Sequence, residues 1–218
     1  MASDLTQRHF QAVIFDMDGT LIDSTPAVLR SWTTWAETMG VPAAALEGFH
    51  GVPSAGVVAA VLPAEKQAAG RELIDRLELT DTDGIRPLPG AAAALSQLPA
   101  DRVAIATSCT ASLAAARLAA SGLIAPRVLV TVDDVEHGKP APDPYLKAAE
   151  RLGFDPADCL VVEDAPKGLE SARAAGAASL AVITTSRRDE LHADLVVDNL
   201  AAVDWQIRED RTIRLIQS

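Results

Sequence analysis

Four short apolar runs punctuate the chain, each followed by a polar or glycine-bearing turn: Ala12-Val13-Ile14-Phe15, Val103-Ala104-Ile105-Ala106, Val128-Leu129-Val130 and Leu160-Val161-Val162. A fifth, Leu180-Ala181-Val182-Ile183, comes later. Continuous runs of this length suit strands buried on both faces of a parallel sheet. Helical stretches lie between the later runs, at Ser112 to Ser121, Pro144 to Leu152 and Lys167 to Ala175, and Gly122, Gly153 and Gly176 stand where C-cap glycines would end them. Strand and helix alternate, which predicts an α/β fold, an open Rossmann-like parallel sheet with right-handed crossovers.

The first connection breaks that rhythm. About 80 residues separate the first run from the second, whereas a crossover needs little more than roughly a dozen. The excess predicts helices at Ala27 to Met39 and Ala64 to Leu79, with Gly48-Phe49-His50-Gly51-Val52-Pro53 as a loop between them. Residues 24–88 therefore read as an inserted helical subdomain, and residues 1–23 and 89–218 as the α/β core. The tail, Trp205 to Ile216, alternates as a hairpin turning at Glu209-Asp210.

Composition narrows the class. At 218 residues, 49% apolar and 22% charged, the chain is an ordinary globular domain with a modest insertion, and disorder, collagen-like repeats and a disulfide scaffold are excluded. Nineteen basic against thirty acidic residues give a net charge of -11. That field repels phosphate backbones, so neither nucleic acid nor an anionic membrane is expected as a partner. An anionic small molecule needs a site with its own cation. Met1 to Phe10 carries no apolar stretch resembling a signal sequence, and Cys109 and Cys159 read as small buried thiols, which fits a cytoplasmic protein. The acidic charge favours a monomer or a weak dimer.

Ligands of an open parallel sheet bind beyond the carboxyl ends of its strands. The residues there are Asp16, Asp18, Gly19 and Thr20 after the first run, Thr107 and Ser108 after the second, and Glu163 and Asp164 after the fourth, with Lys139 in His137-Gly138-Lys139-Pro140. Four carboxylates converging on one edge repel one another and lose hydration, a cost that a hard divalent cation would relieve; Mg²⁺ is the natural candidate. The competing reading of Asp16 to Thr20 is a strand ending in an Asx-type turn. An EF-hand is excluded, because Leu21 and Ala27 stand at the sixth and twelfth loop positions. Neither a Walker A pattern nor Gly-x-Gly-x-x-Gly occurs.

Asp16-Met17-Asp18-Gly19-Thr20 resembles the first motif of the haloacid dehalogenase superfamily, and Ala106-Thr107-Ser108, Gly138-Lys139-Pro140 and Val162-Glu163-Asp164 follow in that family's order. The stretches Lys139 to Leu146 and Glu163 to Gly168 resemble its subgroup of sugar-phosphate and polyol-phosphate phosphatases, of which beta-phosphoglucomutase is a relative. The insertion resembles that subgroup's helical cap. The resemblance implies a Mg²⁺-dependent phosphomonoester hydrolase acting on a small phosphorylated metabolite. In it Asp16 attacks phosphorus to form an aspartyl phosphate, and Asp18 serves as general acid and then base. Asp16, the backbone carbonyl of Asp18, Asp164 and Glu163 (directly or through water) hold the metal. Thr107, Ser108 and Lys139 hold the phosphoryl oxygens, and Thr20 fixes the loop or holds Asp18. His50 reads either as a surface turn residue or as a substrate contact from the cap loop. Trp32 and Trp35 read as cap core, Lys66 as solvated and His137 as a loop residue.

Alternatives are weighed on the same residues. By motif spacing the mutase's sugar-handling histidine and arginine fall at Val28 and Ser54, neither of which can serve. A dehalogenase lacks the second aspartate, present here as Asp18, and Lys66 lies too late for a phosphonatase lysine. A catalytically silent binding protein on the same fold would have no need of the intact set.

Overall fold

In a computed structural model the protein is described over residues 5–46 and 52–217. The central sheet has six strands in the order β5-β4-β1-β6-β7-β8, all parallel. Its strands are β1 (Ala12–Phe15), β4 (Val103–Ala106), β5 (Val128–Val130), β6 (Cys159–Glu163), β7 (Ala178–Val182) and β8 (Leu195–Val197). The five predicted apolar runs are its first five strands, with the fifth shifted toward the N-terminus. The predicted periodicity missed β8. Its Leu-Val-Val is only half-buried at an edge, too short to stand out in a polar tail.

Alternation along the strands divides the interior in two. Val13 and Phe15 of β1 pack with Val103, Ile105, Leu160 and Val162 beneath α4 (Ala91–Gln97) and α5 (Ala111–Ser121). Ala12 and Ile14 face the other way, with Ala104, Ala106 and Val161, against Tyr145 and Ala148 of α6 (Asp143–Leu152) and Ala172 of α7 (Pro166–Ala174). The small residues on this second face let α6 and α7 lie close to the sheet, consistent with an alanine-rich, aromatic-poor chain. α5 and α6 end on Gly122 and Gly153 in the left-handed conformation, as predicted. The tail forms a hairpin of β9 (Val203–Ile207) and β10 (Ile213–Gln217), and Trp205 stands edge-on to Phe15 at 5.9 Å.

The long connection leaves and re-enters the core through a short antiparallel pair, β2 (Ile22–Asp23) and β3 (Arg86–Pro87). Between them lie α1 (Thr25–Met39), α2 (Ser54–Val61) and α3 (Ala64–Thr80). Trp35, Ala36, Val58, Leu62 and Ile74 form a cluster separate from both faces of the sheet. Trp35 is fully buried, donates its indole N–H to the Gly70 carbonyl at 2.7 Å and meets Trp32 edge-on, so the cap has a core of its own, as its tryptophans predict. α2 is an addition to the predicted pair; its apolar residues run together without a helical stripe, so periodicity does not mark it. Gly48 to Gly51 of the predicted loop, His50 among them, lie outside the described residues. No helix among the described residues is long and apolar enough to cross a membrane.

Candidate active site

Asp16, Thr107 and Glu163 stand at or just beyond the carboxyl ends of β1, β4 and β6, three adjacent strands, so the parallel topology alone brings them together. Lys139 joins them from the loop before α6. Its ammonium, 6% exposed by residue, donates to Asp16 Oδ1 at 2.5 Å, Glu163 Oε1 at 2.8 Å and the Ala106 carbonyl at 3.0 Å. Tyr145 completes this shell: its hydroxyl donates to Glu163 Oε1 at 2.9 Å, and its ring lies 4.9 Å beneath the ammonium. The other Glu163 oxygen accepts the backbone N–H groups of Asp164 and Ala165. These contacts fix the Glu163 carboxylate on the floor of the site.

Asp164 accepts from the Thr20 hydroxyl at 3.1 Å and from Thr185. Thr20 thus fixes the loop through Asp164; the hydroxyl that holds Asp18 is that of Ser24, at 2.5 Å. Two glycines make the packing possible. Gly19 has φ +85°, and a Cβ there would overlap the Asp164 carboxylate; a Cβ on Gly168, at the start of α7, would overlap that of Glu163. Thr107 is buried and Ser108 half-buried, both on the cavity wall.

The electrostatics are those of an under-neutralised cluster. Asp16, Glu163 and Asp164 each offer an oxygen within 4.8 Å of the others, a grouping able to hold a metal ion. Burial pushes the Asp16 carboxyl well above the usual range against the opposing pull of Lys139. Burial, and then the charge of Glu163, raises Asp164 to about 7. Burial alone would lower Lys139, but the charges of Asp16 and Glu163 outweigh it and hold the ammonium protonated. One ammonium among three carboxylates leaves negative charge uncompensated.

Asp18 sits apart from this cluster and meets a second one. Its Oδ1 accepts from Arg117 at 2.9 Å, and its Oδ2 from the Cys109 thiol at 3.1 Å. Arg117 also reaches Glu78 Oε1 at 3.0 Å. The motif analysis missed Arg117, Glu78, Ser24 and Tyr145. Arg117 had a legible signal: it shares the buried stripe of α5 with Leu113, Ala114, Leu118 and Ser121, a cation on an apolar face. Glu78 had a similar one, standing four residues after Ile74 on the buried face of α3, although nothing local named its partner 39 residues away.

These groups open into a cavity of about 1010 Å³ between sheet edge and cap, whose cap wall includes Val28, Trp32, Ser54 and Glu78. Trp32 therefore both packs on Trp35 and faces the cavity. His137 is an exposed loop residue beside Asp143 at 3.2 Å, and Lys66 is solvent-exposed, as expected for both.

Residues 10–176 match the family described as haloacid dehalogenase-like hydrolase. The chain belongs to that family. Hexitol phosphatase A of Escherichia coli K12 is 41% identical over 197 residues, 87% of this chain and 91% of that protein. Fructose-1-phosphate phosphatase of the same organism is 32% identical over 179 residues, covering 77% and 94% of the two chains. Among solved structures, a hydrolase from Pseudomonas syringae superposes with a TM-score of 0.79 at 27% identity, over 88% of this chain and 94% of that one. The haloacid dehalogenase-like chain is accordingly an enzyme, a hydrolase of phosphate esters, with the parallel α/β sheet of that fold.

Proposed function

We propose that this phosphatase releases phosphate from a small phosphorylated sugar or polyol, through an aspartyl phosphate on Asp16 and with Mg²⁺ as cofactor. The observation that carries the proposal is the buried quartet of Asp16, Lys139, Glu163 and Asp164 on the cavity floor. Its three carboxyl groups offer only oxygen and outnumber the single ammonium, which suits a hard divalent ion. Asp16, Asp164, Glu163 and the backbone carbonyl of Asp18 would hold it. When bound, Mg²⁺ supplies positive charge to the transferring phosphoryl oxygens.

The chain's own residues do the rest. Asp16 attacks phosphorus; the Lys139 contact orients its carboxylate and opposes the effect of burial on it. Thr107 and Ser108 bind phosphoryl oxygens from the adjacent strand end. Asp18 protonates the leaving alkoxide and, in the second step, takes a proton from the attacking water. The cap, residues 24–88, excludes bulk water and supplies the wall that selects the leaving group. Val28 and Ser54 on that wall carry neither an acid–base group nor a cation to hold a phosphosugar through reorientation, which favours water over a mutase reaction. His50 remains a proposed substrate contact.

Phosphate release from hexitol phosphates, fructose 1-phosphate and glycerol 1-phosphate, with Mg²⁺ and with excess chelator, tests the proposal. Turnover should require the metal and rank these substrates above nucleotides and phosphoproteins. Unchanged turnover in chelator, or glucose 6-phosphate formed from β-glucose 1-phosphate with a bisphosphate primer, would overturn it.

A further inference from the structure

Arg117 is 5% exposed and stands on a core helix, yet it bridges two different parts of the molecule. One guanidinium nitrogen serves Asp18 at 2.9 Å and the Cys109 sulfur at 3.2 Å; the other serves Glu78 at 3.0 Å, on the last turns of cap helix α3. Glu78 is itself 7% exposed. Burial raises its carboxyl, and the Arg117 charge opposes that rise. The arginine is therefore held by one carboxylate on each side of the cap–core boundary. Moving the cap away would strip a desolvated guanidinium of one counter-ion, a large penalty for a buried charge. Asp18 meets the cap at a second point, through Ser24 immediately before α1. A planar fork with fixed donor directions transmits position better than a flexible ammonium would.

We propose that Arg117 is a positioning residue that couples the seating of the cap, sensed through Glu78, to the orientation of the Asp18 carboxylate. This rests on the acid–base role assigned to Asp18 above. When the cap seats, Glu78 and Asp18 clamp the guanidinium from two sides and Asp18 is held in one rotamer. When it lifts, the clamp opens and Asp18 loses that constraint. Acid–base assistance is thereby confined to the state in which bulk water is excluded, although neither Arg117 nor Glu78 need touch the reacting atoms.

The test compares Arg117→Met, Arg117→Lys, Glu78→Gln and the Arg117→Met/Glu78→Gln double variant, in single-turnover measurements with saturating Mg²⁺. Two probes are used: glycerol 1-phosphate, whose alkoxide needs an acid, and p-nitrophenyl phosphate, whose phenolate does not. Arg117→Met and the near-isosteric Glu78→Gln should each slow phosphoryl transfer from glycerol 1-phosphate by ~10-fold or more, within the range of acid–base assistance. On p-nitrophenyl phosphate both should stay within about threefold, because that leaving group draws little on the acid. Arg117→Lys should recover part of the alkyl-phosphate rate, and the double variant should be no slower than Arg117→Met. Equal losses on both probes would assign Arg117 a purely structural role and overturn the proposal. A selective loss in Arg117→Met with none in Glu78→Gln, or additive effects in the double variant, would overturn the coupling to the cap. Asp18→Asn on the same probes separates the two levels: without a leaving-group dependence there, the acid–base role of Asp18 itself fails.

Discussion

Asp16 and Asp18 are two residues apart and live in different electrostatic worlds. Asp16 points to Lys139 and the other carboxylates, whereas Asp18 points to Arg117, Ser24 and Cys109. Asp16→Asn should lower phosphatase turnover by at least ~10³-fold, since the nucleophile and a metal ligand are lost together. Steady-state assays with p-nitrophenyl phosphate check this, and near-wild-type activity would remove Asp16 from its role. Asp18→Asn should instead slow the two steps unequally. Breakdown of the aspartyl phosphate should suffer most, because an amide cannot take a proton from water; rapid-quench measurement should then show the phosphoenzyme accumulating. The thiols offer a simpler check. Burial pushes Cys109 well up, with the Asp18 charge adding to it, and burial raises Cys159 to about 12. At pH 8 neither should react with a thiol reagent in the folded protein, and both should react in denaturant.

At the scale of elements, the contact between α7 and β6 is set by a missing side chain. A glycine-to-alanine change inside a helix gains about 1 kcal/mol of intrinsic propensity. At Gly168 the added methyl would overlap the Glu163 carboxylate, which is already fixed by Lys139, Tyr145 and two backbone N–H groups. Overpacking of this kind costs about 1–3 kcal/mol, and displacing Glu163 would also disturb the hold on Lys139. Gly168→Ala should therefore lower both the urea midpoint and turnover; a rise in the midpoint with full activity would show that Glu163 can yield. The same geometry accounts for what periodicity could not reach. α7 is legible as a helix from its residues, while the need for a glycine at this one position arises only when β6 presents Glu163 to it.

Across the whole molecule, cap and core have separate hydrophobic clusters joined by the β2–β3 pair. Replacing residues 26–86 by a short Gly/Ser linker should leave Mg²⁺ binding largely intact, because every proposed ligand belongs to the core. Calorimetric titration of that protein with Mg²⁺ measures it. Turnover of small sugar and polyol phosphates should fall sharply, and the full-length substrate ranking should disappear. Retention of that ranking would place selectivity in the core.

The sequence by itself determined the parallel sheet, the helical insertion and the motif residues Asp16, Asp18, Thr107, Lys139, Glu163 and Asp164. All but Lys139 announce themselves locally: continuous apolar runs mark strands buried on both faces, and the polar residues that follow them stand at the sheet's carboxyl edge. Lys139 is legible only from the Gly138-Lys139-Pro140 motif. The tertiary structure decided what lies between those residues. That Thr20 serves Asp164 while Ser24 serves Asp18 depends on side-chain directions in a turn. The Arg117–Glu78 link depends on how α3 of the cap settles over α5 of the core. The half-buried edge strand β8 gains its partner only from β7. Such contacts join segments far apart in the chain, and no local period records a pairing that exists only once both elements have packed.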